Sequence, residues 1–396
     1  MGEWQTFCLK DLGKIVGGAT PSTNNPKNYG NKIAWITPKD LSTLQGRYIK
    51  KGSRSISRLG FKSCSCVLLP KHAILFSSRA PIGYVAIAKK RLCTNQGFKS
   101  IIPNKKIYFE FLYYLLKYHK DNISNIGGGT TFKEVSGATL GLFKVEIPPT
   151  YYEQQKIART LSILDQKIEN NHKINELLHK ILELLYDQYF VRFDFLDENN
   201  KPYQTSGGKM KFSKELNRLI PSGWSVRFLN HKIVSTYQPK TISKTLLNDS
   251  YSYSVYGGGG IIGRFTEYNH EQSEFIISCR GQCGISYLTL PKSWITGNAM
   301  VIRPTKSYTS KTYLYHTIKK YKLTNYITGS VQPQITRQNL STMPILIPKR
   351  KTLNKWNNIS SLLWNLIHNN MQATQTLTAL RDFLLPLLLK QQVKPQ

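Results

Sequence analysis

Apolar residues recur at alternating intervals of four and three residues along one long stretch of the chain. The apolar positions are Ile157, Leu161, Leu164, Ile168, Leu178, Leu182 and Leu185, and Asn171 and Asn175 occupy the two places of the same spacing between Ile168 and Leu178. This heptad spacing places them on one face of a helix and is typical of a coiled coil. A helix of about 36 residues is about 54 Å long, which is more than a small domain can cover. The pattern therefore predicts a long helix that packs against another helix.

A second stretch near the C-terminus repeats this pattern at an offset of 199 residues. The positions that match the first stretch include Trp356, Leu363, Ile367 and Leu384. Pro386 is expected to kink or end this second helix. Two such helices in one chain satisfy each other most simply by packing together, and we predict an antiparallel pair. Asn171 and Asn175 interrupt the first apolar face with polar groups, which would fix the register of the pair.

Shorter patterns predict mixed strands and helices before each long helix. Residues 73–79 and 84–90 are apolar runs on either side of a Pro-Ile-Gly turn, which predicts two strands joined by that turn. Residues 109–119 and 312–321 have the apolar content of buried helices. The segment from Thr131 to Glu134 has the spacing of a capping box, which predicts that a short helix begins there.

The chain repeats itself at an offset of about 200 residues. NIGGGTTFKEVSGATLGLFKVEIPP (125–149) matches NYITGSVQPQITRQNLSTMPILIPK (325–349), and ILFSSRAPIG (74–83) matches FIISCRGQCG (275–284). We therefore predict an α+β protein in which two similar mixed α/β modules are separated and linked by two long helices packed as an antiparallel coiled coil. The predicted segments are module 1 (1–150), a central helix (151–195), a linker (196–215), module 2 (216–349) and a distal helix (350–391).

The positive charge is concentrated in the two modules. The whole chain has 55 basic and 22 acidic side chains, a net charge of +33. Module 1 has 23 basic and 7 acidic side chains and residues 216–350 have 17 and 4, whereas residues 151–195 have 6 and 7. A phosphate backbone is the commonest partner of such surfaces. The alternative interpretation is a basic surface without a specialised partner. In that case the positive charge would be distributed evenly over all segments of the chain.

The sequence provides few signs of chemistry or of a membrane. No apolar run reaches the length of a membrane span, and we expect a cytoplasmic protein without contact to a membrane. The six cysteines lack the spacing of a zinc site or a disulfide framework. The glycine-rich run from Tyr256 to Phe265 is not followed by the residues of a phosphate-binding loop. We therefore predict no catalytic residues, no metal and no cofactor.

The order of motifs resembles the specificity subunit of type I restriction–modification systems. In the first half these motifs are LFSSRAPIG, TNQGFKSI (94–101), GGGTTFKEVSGATLGLFKVEIPP and EQQKIARTLSILDQKI. In the second half they are Gly223-Trp224, YGGGGIIGRF, TGNAMVIRP and GSVQPQI. The resemblance covers essentially the whole chain. One departure is that KRKTLNKWNN follows Pro348 where the first half has the Glu153-Gln154 pair.

The resemblance implies a subunit that recognises DNA and performs no chemistry itself. Each module would be a target recognition domain for one half of a split double-stranded DNA sequence. The helices would space these domains and dock methyltransferase subunits, and restriction and translocase subunits would join through the complex. The docking residues implied for the central helix are Glu153, Gln154, Ile157, Leu161, Leu164 and Ile168.

Candidate DNA-contacting residues follow from the chemistry of base edges. Arginine pairs well with guanine, and asparagine or glutamine pairs with adenine in the major groove. The candidates are Arg79, Asn95, Gln96, Thr130 and Lys133 in module 1, and Arg280, Gln282, Asn298, Gln332, Gln334 and Arg337 in module 2. Because Arg79 and Arg280 recur in both copies, phosphate contact is favoured for them over base contact.

A length difference between the copies offers further candidates. From Trp4 to Arg79 is 75 residues, whereas from Trp224 to Arg280 is 56. The extra 19 residues of module 1 could recognise bases through Lys50, Lys51, Arg54 and Arg58.

Two other functions remain open at this level. One is a stand-alone DNA-modifying enzyme, a nuclease or methyltransferase, with a duplicated DNA-reading domain. The other is a non-enzymatic RNA-binding scaffold. Incubating the chain alone with DNA, and competing DNA against RNA, would separate these alternatives from a specificity subunit.

Overall fold

Two structural units divide the chain in the computed structural model, which describes residues 3–128, 133–249, 251–329 and 332–394. Unit 1 contains the described residues up to Lys173 together with those from Asn370 onward, and unit 2 contains Ile174–Asn369. Each unit therefore combines one predicted module with part of each long helix.

Unit 1 contains the strands and helices of the first module. The strands are β1 (Gln5–Cys8), β2 (Gly13–Gly17), β3 (Tyr29–Ile36), β4 (Tyr48–Ile49), β5 (Arg54–Ile56), β6 (Ile74–Phe76), β7 (Val85–Ala88), β8 (Cys93–Thr94), β9 (Lys99–Pro103) and β10 (Lys144–Ile147). The helices are α1 (Leu9–Leu12), α2 (Pro38–Ser42), α3 (Arg58–Lys62), α4 (Phe109–Tyr118), α5 (Lys120–Asn125) and α6 (Gly137–Leu142), with a 3₁₀ turn at Pro26–Asn28. The long helix α7 (Tyr151–Tyr186) follows and ends in a π-helical turn at Asp187–Val191.

Unit 2 contains the corresponding elements of the second module. The strands are β11 (Met210–Ser213), β12 (Arg218–Pro221), β13 (Ser225–Phe228), β14 (Val234–Tyr237), β15 (Tyr253–Gly257), β16 (Gly260–Phe265), β17 (Phe275–Ser278), β18 (Ser286–Leu288), β19 (Trp294–Ile295), β20 (Ala299–Pro304), β21 (Ile327–Thr328), β22 (Gln334–Ile335) and β23 (Pro344–Ile347). The helices are α8 (Lys311–Lys320) and α9 (Arg337–Ser341), with 3₁₀ turns at Lys244–Leu246 and Leu323–Tyr326, and the long helix α10 (Arg350–Leu389) follows.

The two units share one sheet topology. The main sheet has the strand order β2-β9-β6-β7-β4 in unit 1 and β14-β20-β17-β18 in unit 2, while smaller sheets β5-β3-β8 and β16-β15-β19 also correspond. The central strands Ile74–Phe76 and Phe275–Ser278 are buried throughout, and all of their residues except Ser278 are apolar. Helices α4 and α8 pack on these sheets. The predicted α+β fold with two similar modules is confirmed.

The extra residues of module 1 form an additional strand. Between β3 and β5 the chain builds α2 and β4, and β4 pairs in parallel with β7 at the edge of the main sheet. In unit 2 only Gly258 and Gly259 separate the equivalent strands β15 and β16. Lys50, Lys51, Arg54 and Arg58 are all exposed on this additional part of unit 1 and its surroundings.

Helices α7 and α10 contact each other in antiparallel register within each unit. In unit 1 Asn171 Nδ2 donates to Thr374 Oγ1 (3.2 Å). In unit 2 Asn175 Nδ2 donates to the carbonyl of Ile367 (3.3 Å). Within each unit the residue numbers fall along α10 as they rise along α7, from Asp165–Arg381 to Asn171–Thr374 in unit 1 and from Asn175–Ile367 to Tyr186–Trp356 in unit 2. The predicted antiparallel pairing is confirmed. The two asparagines make polar contacts across the pair, as the sequence pattern indicated.

Helix α10 continues past Pro386 to Leu389. Proline lacks an N–H and normally disrupts a helix interior, and the sequence therefore predicted a kink or an end there. Leu385, Leu388 and Leu389 are buried in the main hydrophobic core of unit 1. Burial of these side chains holds the last turn in helical form, because each buried leucine contributes about 1.5–3 kcal/mol.

A buried ionic network joins module 1 to both helices within unit 1. Asp165 of α7 accepts hydrogen bonds from the Tyr114 hydroxyl of α4 (2.6 Å) and from Arg381 Nη1 of α10 (2.8 Å). Its side chain is 5% exposed. Burial lowers the pKa of Arg381, but its hydrogen bond and charge interaction with Asp165 raise that pKa above its ordinary value. The guanidinium therefore stays charged inside the unit.

The additional segment of module 1 completes this network. Arg47, just before β4, places Nη1 3.0 Å from Glu110 and Nε 3.4 Å from Glu169 of α7. Its side chain is 3% exposed, and its backbone N–H also donates to Glu169 (3.0 Å). The Tyr48 hydroxyl donates to Glu110 as well. The extra residues thus hold the module against α7 rather than only adding exposed cations.

The predicted boundaries of the five segments stay predictions, although the elements indicate where regular structure lies. Segment 196–215 was predicted as a linker. It contains a bridge between Leu196 and Pro202 and all of β11.

Three general features bear on function. Within residues 3–128, 133–249, 251–329 and 332–394, no helix has the length and hydrophobicity needed to cross a membrane. In the same described parts, no group of three His, Cys, Asp or Glu side chains is arranged to hold a metal ion. All six cysteines are free thiols.

We predict that Asp165→Asn lowers the free energy of unfolding by about 3–5 kcal/mol, because it leaves Arg381 and Arg47 buried without this carboxylate. Denaturant titration of the full chain measures the change. The control is Asp382→Asn, which removes a second and exposed carboxylate partner of Arg381. Exposed pairs contribute up to about 1 kcal/mol, so equal losses in the two variants would contradict this account of the network.

Candidate nucleic-acid interface

A tight hairpin turn presents Arg79 at the surface of unit 1. The turn follows β6, and the Ser77 hydroxyl donates to the carbonyl of Pro81 (2.8 Å) while its oxygen accepts from the N–H of Tyr84 (2.8 Å). Gly83 has a φ of 101°, a conformation that favours glycine. The turn therefore fixes the backbone on both sides of the arginine.

Unit 2 builds the same turn around Arg280. The Ser278 hydroxyl donates to the carbonyl of Gln282, and its oxygen accepts from the N–H of Ile285 (2.8 Å). Gly284 has a φ of 90°. The equivalence that the sequence repeat indicated thus extends to individual hydrogen bonds.

The residue before each arginine is Ser78 in unit 1 and Cys279 in unit 2, and two further backbone hydrogen bonds fix its position. Its N–H donates to the carbonyl of Gly97 in unit 1 (2.8 Å) and of Asn298 in unit 2 (3.0 Å). Its carbonyl accepts from the N–H of Val135 in unit 1 and of Ile335 in unit 2 (both 3.0 Å). These bonds place the turn between two other segments, and both segments contain predicted DNA-contacting residues.

Glu134 lies beside Arg79 in unit 1. One carboxylate oxygen is 3.6 Å from Arg79 Nη1, and the other is 3.2 Å from Lys99 Nζ. The backbone of Glu134 forms an antiparallel bridge with Gly128. Thr131, the first residue of the predicted capping box, lies outside the described residues. The prediction that a helix begins at this box is wrong, because α6 begins at Gly137 and is capped by Ser136.

The same place in unit 2 is occupied by Gln334. Strand β22 pairs with β21, which sets Gln334 opposite Thr328. Gln334 also forms an isolated backbone bridge with Arg280, and both residues are exposed. The structure thus brings two of the predicted residues of module 2 into contact.

The other predicted residues lie on the same segments or close to them in the chain. In unit 1, Lys133 is exposed, Asn95 Oδ1 accepts from the N–H of Gly97, and Gln96 accepts from the Thr20 hydroxyl. Thr130 lies outside the described residues. In unit 2 the remaining predicted residues are all exposed, namely Gln282, Asn298, Gln332 and Arg337. Their contacts with DNA stay predictions.

Sequence reasoning missed three residues of this surface. Glu134 contacts Arg79, Lys99 contacts Glu134, and Gly258 lies where an added Cβ would be 3.0 Å from the carbonyl of Arg280. Alignment of the two copies offered a signal for Glu134, since it matches Gln334 at an offset of 200. The close approach at Gly258 explains one glycine of the run from Tyr256 to Phe265.

The residues predicted to dock a partner on α7 are mostly buried within unit 1. Ile157, Leu161 and Ile168 are at most 8% exposed and pack inside the unit. Gln154 is 1% exposed, and its side chain binds the carbonyls of Lys106 and Pro148. Glu153 accepts a hydrogen bond from the Thr150 hydroxyl (2.9 Å) at the start of the helix.

These contacts are intramolecular. Direct contact of Gln154, Ile157, Leu161 and Ile168 with a partner would require unit 1 to open, because their own unit covers them. Leu164, at the centre of the group, is half-buried.

The chain is similar to known proteins over most of its length. The family model described as the type I restriction modification DNA specificity domain matches residues 1–180 and 221–377. The type I restriction enzyme MjaIX specificity subunit of Methanocaldococcus jannaschii is 33% identical over 423 residues, which cover 98% of this chain and 92% of that protein. The chain therefore belongs to the type I restriction–modification specificity family.

Further similarities agree with this family. The HindI specificity subunit of Haemophilus influenzae is 31% identical over 191 residues, 46% of this chain and 40% of that protein. The crystal structure of a type I restriction–modification S subunit from M. genitalium matches with a TM-score of 0.60, at 18% identity and over 97% of this chain and 96% of that one. At this identity the structural match shows the fold.

The predicted family and function are confirmed. The chain is a specificity subunit of a type I restriction–modification system, which is a DNA-recognition subunit without catalytic activity. The alternatives of a stand-alone DNA-modifying enzyme and of an RNA-binding scaffold are not favoured by these relatives.

We predict that Gly284→Ala destabilises the chain by about 1–3 kcal/mol, since a side chain at positive φ is strained and its Cβ would lie 3.0 Å from Leu323 Cβ. Denaturant titration measures the loss. Gly259→Ala is the matched control, because a Cβ there meets no atom within 4 Å. A loss in the control as large as that in Gly284→Ala would contradict a specific role of the turn.

Proposed function

We propose that each unit of this specificity subunit binds one half of a bipartite double-stranded DNA target. The observation that carries this proposal is the repeated turn, which presents Arg79 and Arg280 through the same hydrogen bonds in two cationic modules. Exposed polar side chains that differ between the modules surround each arginine. This arrangement gives two surfaces with a common scaffold and different recognition chemistry.

Arg79 and Arg280 contact phosphates in this proposal. Both arginines are accessible to a partner, since Arg280 is exposed and the Arg79 side chain is 38% exposed. Phosphate contacts position a protein on DNA without selecting a sequence. That role suits a residue which two modules with different targets share. The neighbouring residues that differ would then select the bases.

We also propose that the helices dock methyltransferase subunits through exposed apolar residues of unit 2. Helix α7 carries an apolar stripe at intervals of three and four residues, and α10 carries a shorter one. The members are 37–64% exposed: Ile174, Leu177, Ile181 and Leu184 on α7, and Ile359, Leu362 and Leu366 on α10. Exposed stripes with heptad spacing favour helical partners.

The restriction and translocase subunits would join through the same complex. Relatives are named as subunits of type I restriction enzymes, which supports assembly with further subunits. Docking through these stripes replaces docking through the buried residues of α7 in our proposal. A cytoplasmic location is in keeping with six free cysteines.

We predict that the full chain with its methyltransferase subunit selects one bipartite sequence from a library of random duplexes, with strongly salt-dependent affinity. Binding that ignores sequence under these conditions would overturn the proposed function. Arg79→Ala and Arg280→Ala should each weaken binding similarly for all sequences. Each should also reduce the slope of log affinity against log salt by about one, the value for one lost phosphate contact.

The matched control for these arginines is Lys144→Ala. Lys144 is an exposed lysine on β10, and it lines a surface cavity together with Leu389 and Lys390. This substitution removes the same charge and should leave the salt slope unchanged. A change of selected bases in Arg79→Ala would instead assign base contact to that arginine.

We predict that Leu177→Gln combined with Leu184→Gln weakens binding of the methyltransferase subunit more than tenfold, because apolar contact residues at the centre of an interface dominate its affinity. Sedimentation or titration calorimetry with the purified subunit measures this change. Lys180→Gln, an exposed position of the same helix, is the control and should bind normally. Unchanged binding by the leucine variant would exclude this stripe as the docking surface.

A further inference from the structure

One position beside the arginine has the same backbone place but different side-chain chemistry in the two units. Glu134 pairs with Gly128, and Gln334 pairs with Thr328 in the same antiparallel arrangement. The residue that follows each of them donates the backbone hydrogen bond to the segment of the arginine. Glu134 and Gln334 are therefore equivalent positions whose side chains differ in charge.

The surroundings of this position differ in a corresponding way. In unit 1 the Glu134 carboxylate lies between Arg79 and Lys99. In unit 2 the residue at the place of Lys99 is Met300, which is 1% exposed. Glu134 thus has two cationic neighbours, Arg79 and Lys99. At the equivalent places in unit 2, Gln334 has the cation Arg280 and the apolar Met300.

A purely structural role explains the carboxylate poorly. The side chains of Arg79 and Glu134 are 38% and 36% exposed, and ion pairs at such exposure contribute little stability. A carboxylate also repels phosphates, so it weakens a surface that serves only to attract the DNA backbone. Module 1 nevertheless holds this acceptor next to the turn that both units share.

The two side chains suit different base edges. An ionised carboxylate only accepts hydrogen bonds, whereas a glutamine amide both accepts and donates. In the major groove, glutamate accepts from the N4 amino group of cytosine, and glutamine binds both N6 and N7 of adenine. Arg79 and Lys99 would hold the Glu134 carboxylate in place at the DNA surface.

We propose that Glu134 and Gln334 are specificity-determining residues that make the two half-sites differ. Glu134 accepts a hydrogen bond from the amino group of cytosine in the half-site of unit 1. Gln334 binds adenine at the corresponding position in the half-site of unit 2. This inference rests on the proposed function, because it requires both units to bind DNA through the surface around the turn.

The test compares base preferences of the full chain, Glu134→Gln and Gln334→Glu, each bound to the methyltransferase subunit and selected against a library of random bipartite duplexes. In Glu134→Gln the preference for cytosine at one position of one half-site should fall at least tenfold in favour of adenine. In Gln334→Glu the reverse change should occur in the other half-site. All other positions should keep their wild-type preference.

The matched control is Glu146→Gln, which removes the same charge from an exposed residue on β10 and should leave every preference unchanged. If the full chain selects a bipartite sequence while Glu134→Gln and Gln334→Glu select the same one, this inference is wrong and the proposed function stands. If the full chain selects no sequence, the proposed function fails first. Thermal unfolding of all variants separates lost contacts from lost folding.

Discussion

Asp165 is the group on which unit 1 depends, because three separate chain segments meet around its carboxylate. It accepts from Tyr114 of the module and from Arg381 of α10, and Arg47 lies at 3.9 Å. Removing these charges from water costs several kcal/mol per ion, and this cost is offset only when every partner is present. The network therefore forms only when the module, α7 and α10 are in register. Loss of one partner leaves the remaining charges buried and unpaired, so the network disfavours any other arrangement of these segments.

Unit 2 achieves the corresponding junction with aromatic packing. Tyr186 of α7 lies between Tyr313 and His316 of α8 and Trp356 of α10, at ring-centroid distances of 6.1, 5.5 and 5.7 Å. Burial, together with nearby lysines, lowers the pKa of His316 to about 3, so the ring stays neutral in this apolar setting. The two units share backbone topology but use different forces to join module and helices. Arg47 and β4 lie in the extra residues of module 1, and Arg47 contributes to the ionic junction of unit 1.

The fold could be predicted from the sequence wherever periodicity carries the information. The heptad positions of α7, the apolar runs of β6 and β17 and the repeat itself gave the long helices, the central strands and the two modules. Contacts between distant residues left no such signal. The local sequence did not indicate that β4 pairs with β7 or that buried leucines hold α10 in helical form past Pro386. It also did not indicate that Gln154 binds carbonyls of its own unit. Of the two equivalent positions beside the turn, the sequence predicted Gln334 but not Glu134, because only the structure places Glu134 next to Arg79.

The hydrogen bonds around the turn are compatible with our proposal that two domains of one fold recognise different sequences. The two bonds that fix the backbone of the residue before Arg79 or Arg280 run between backbone groups, and the serine that closes each turn is the same in both units. Substitution at position 134 or 334 therefore leaves these bonds intact. Because the scaffold does not depend on that side chain, its chemistry is free to vary with the DNA target. The shared arginine keeps its place relative to the backbone, so a change of recognised base requires no change of fold.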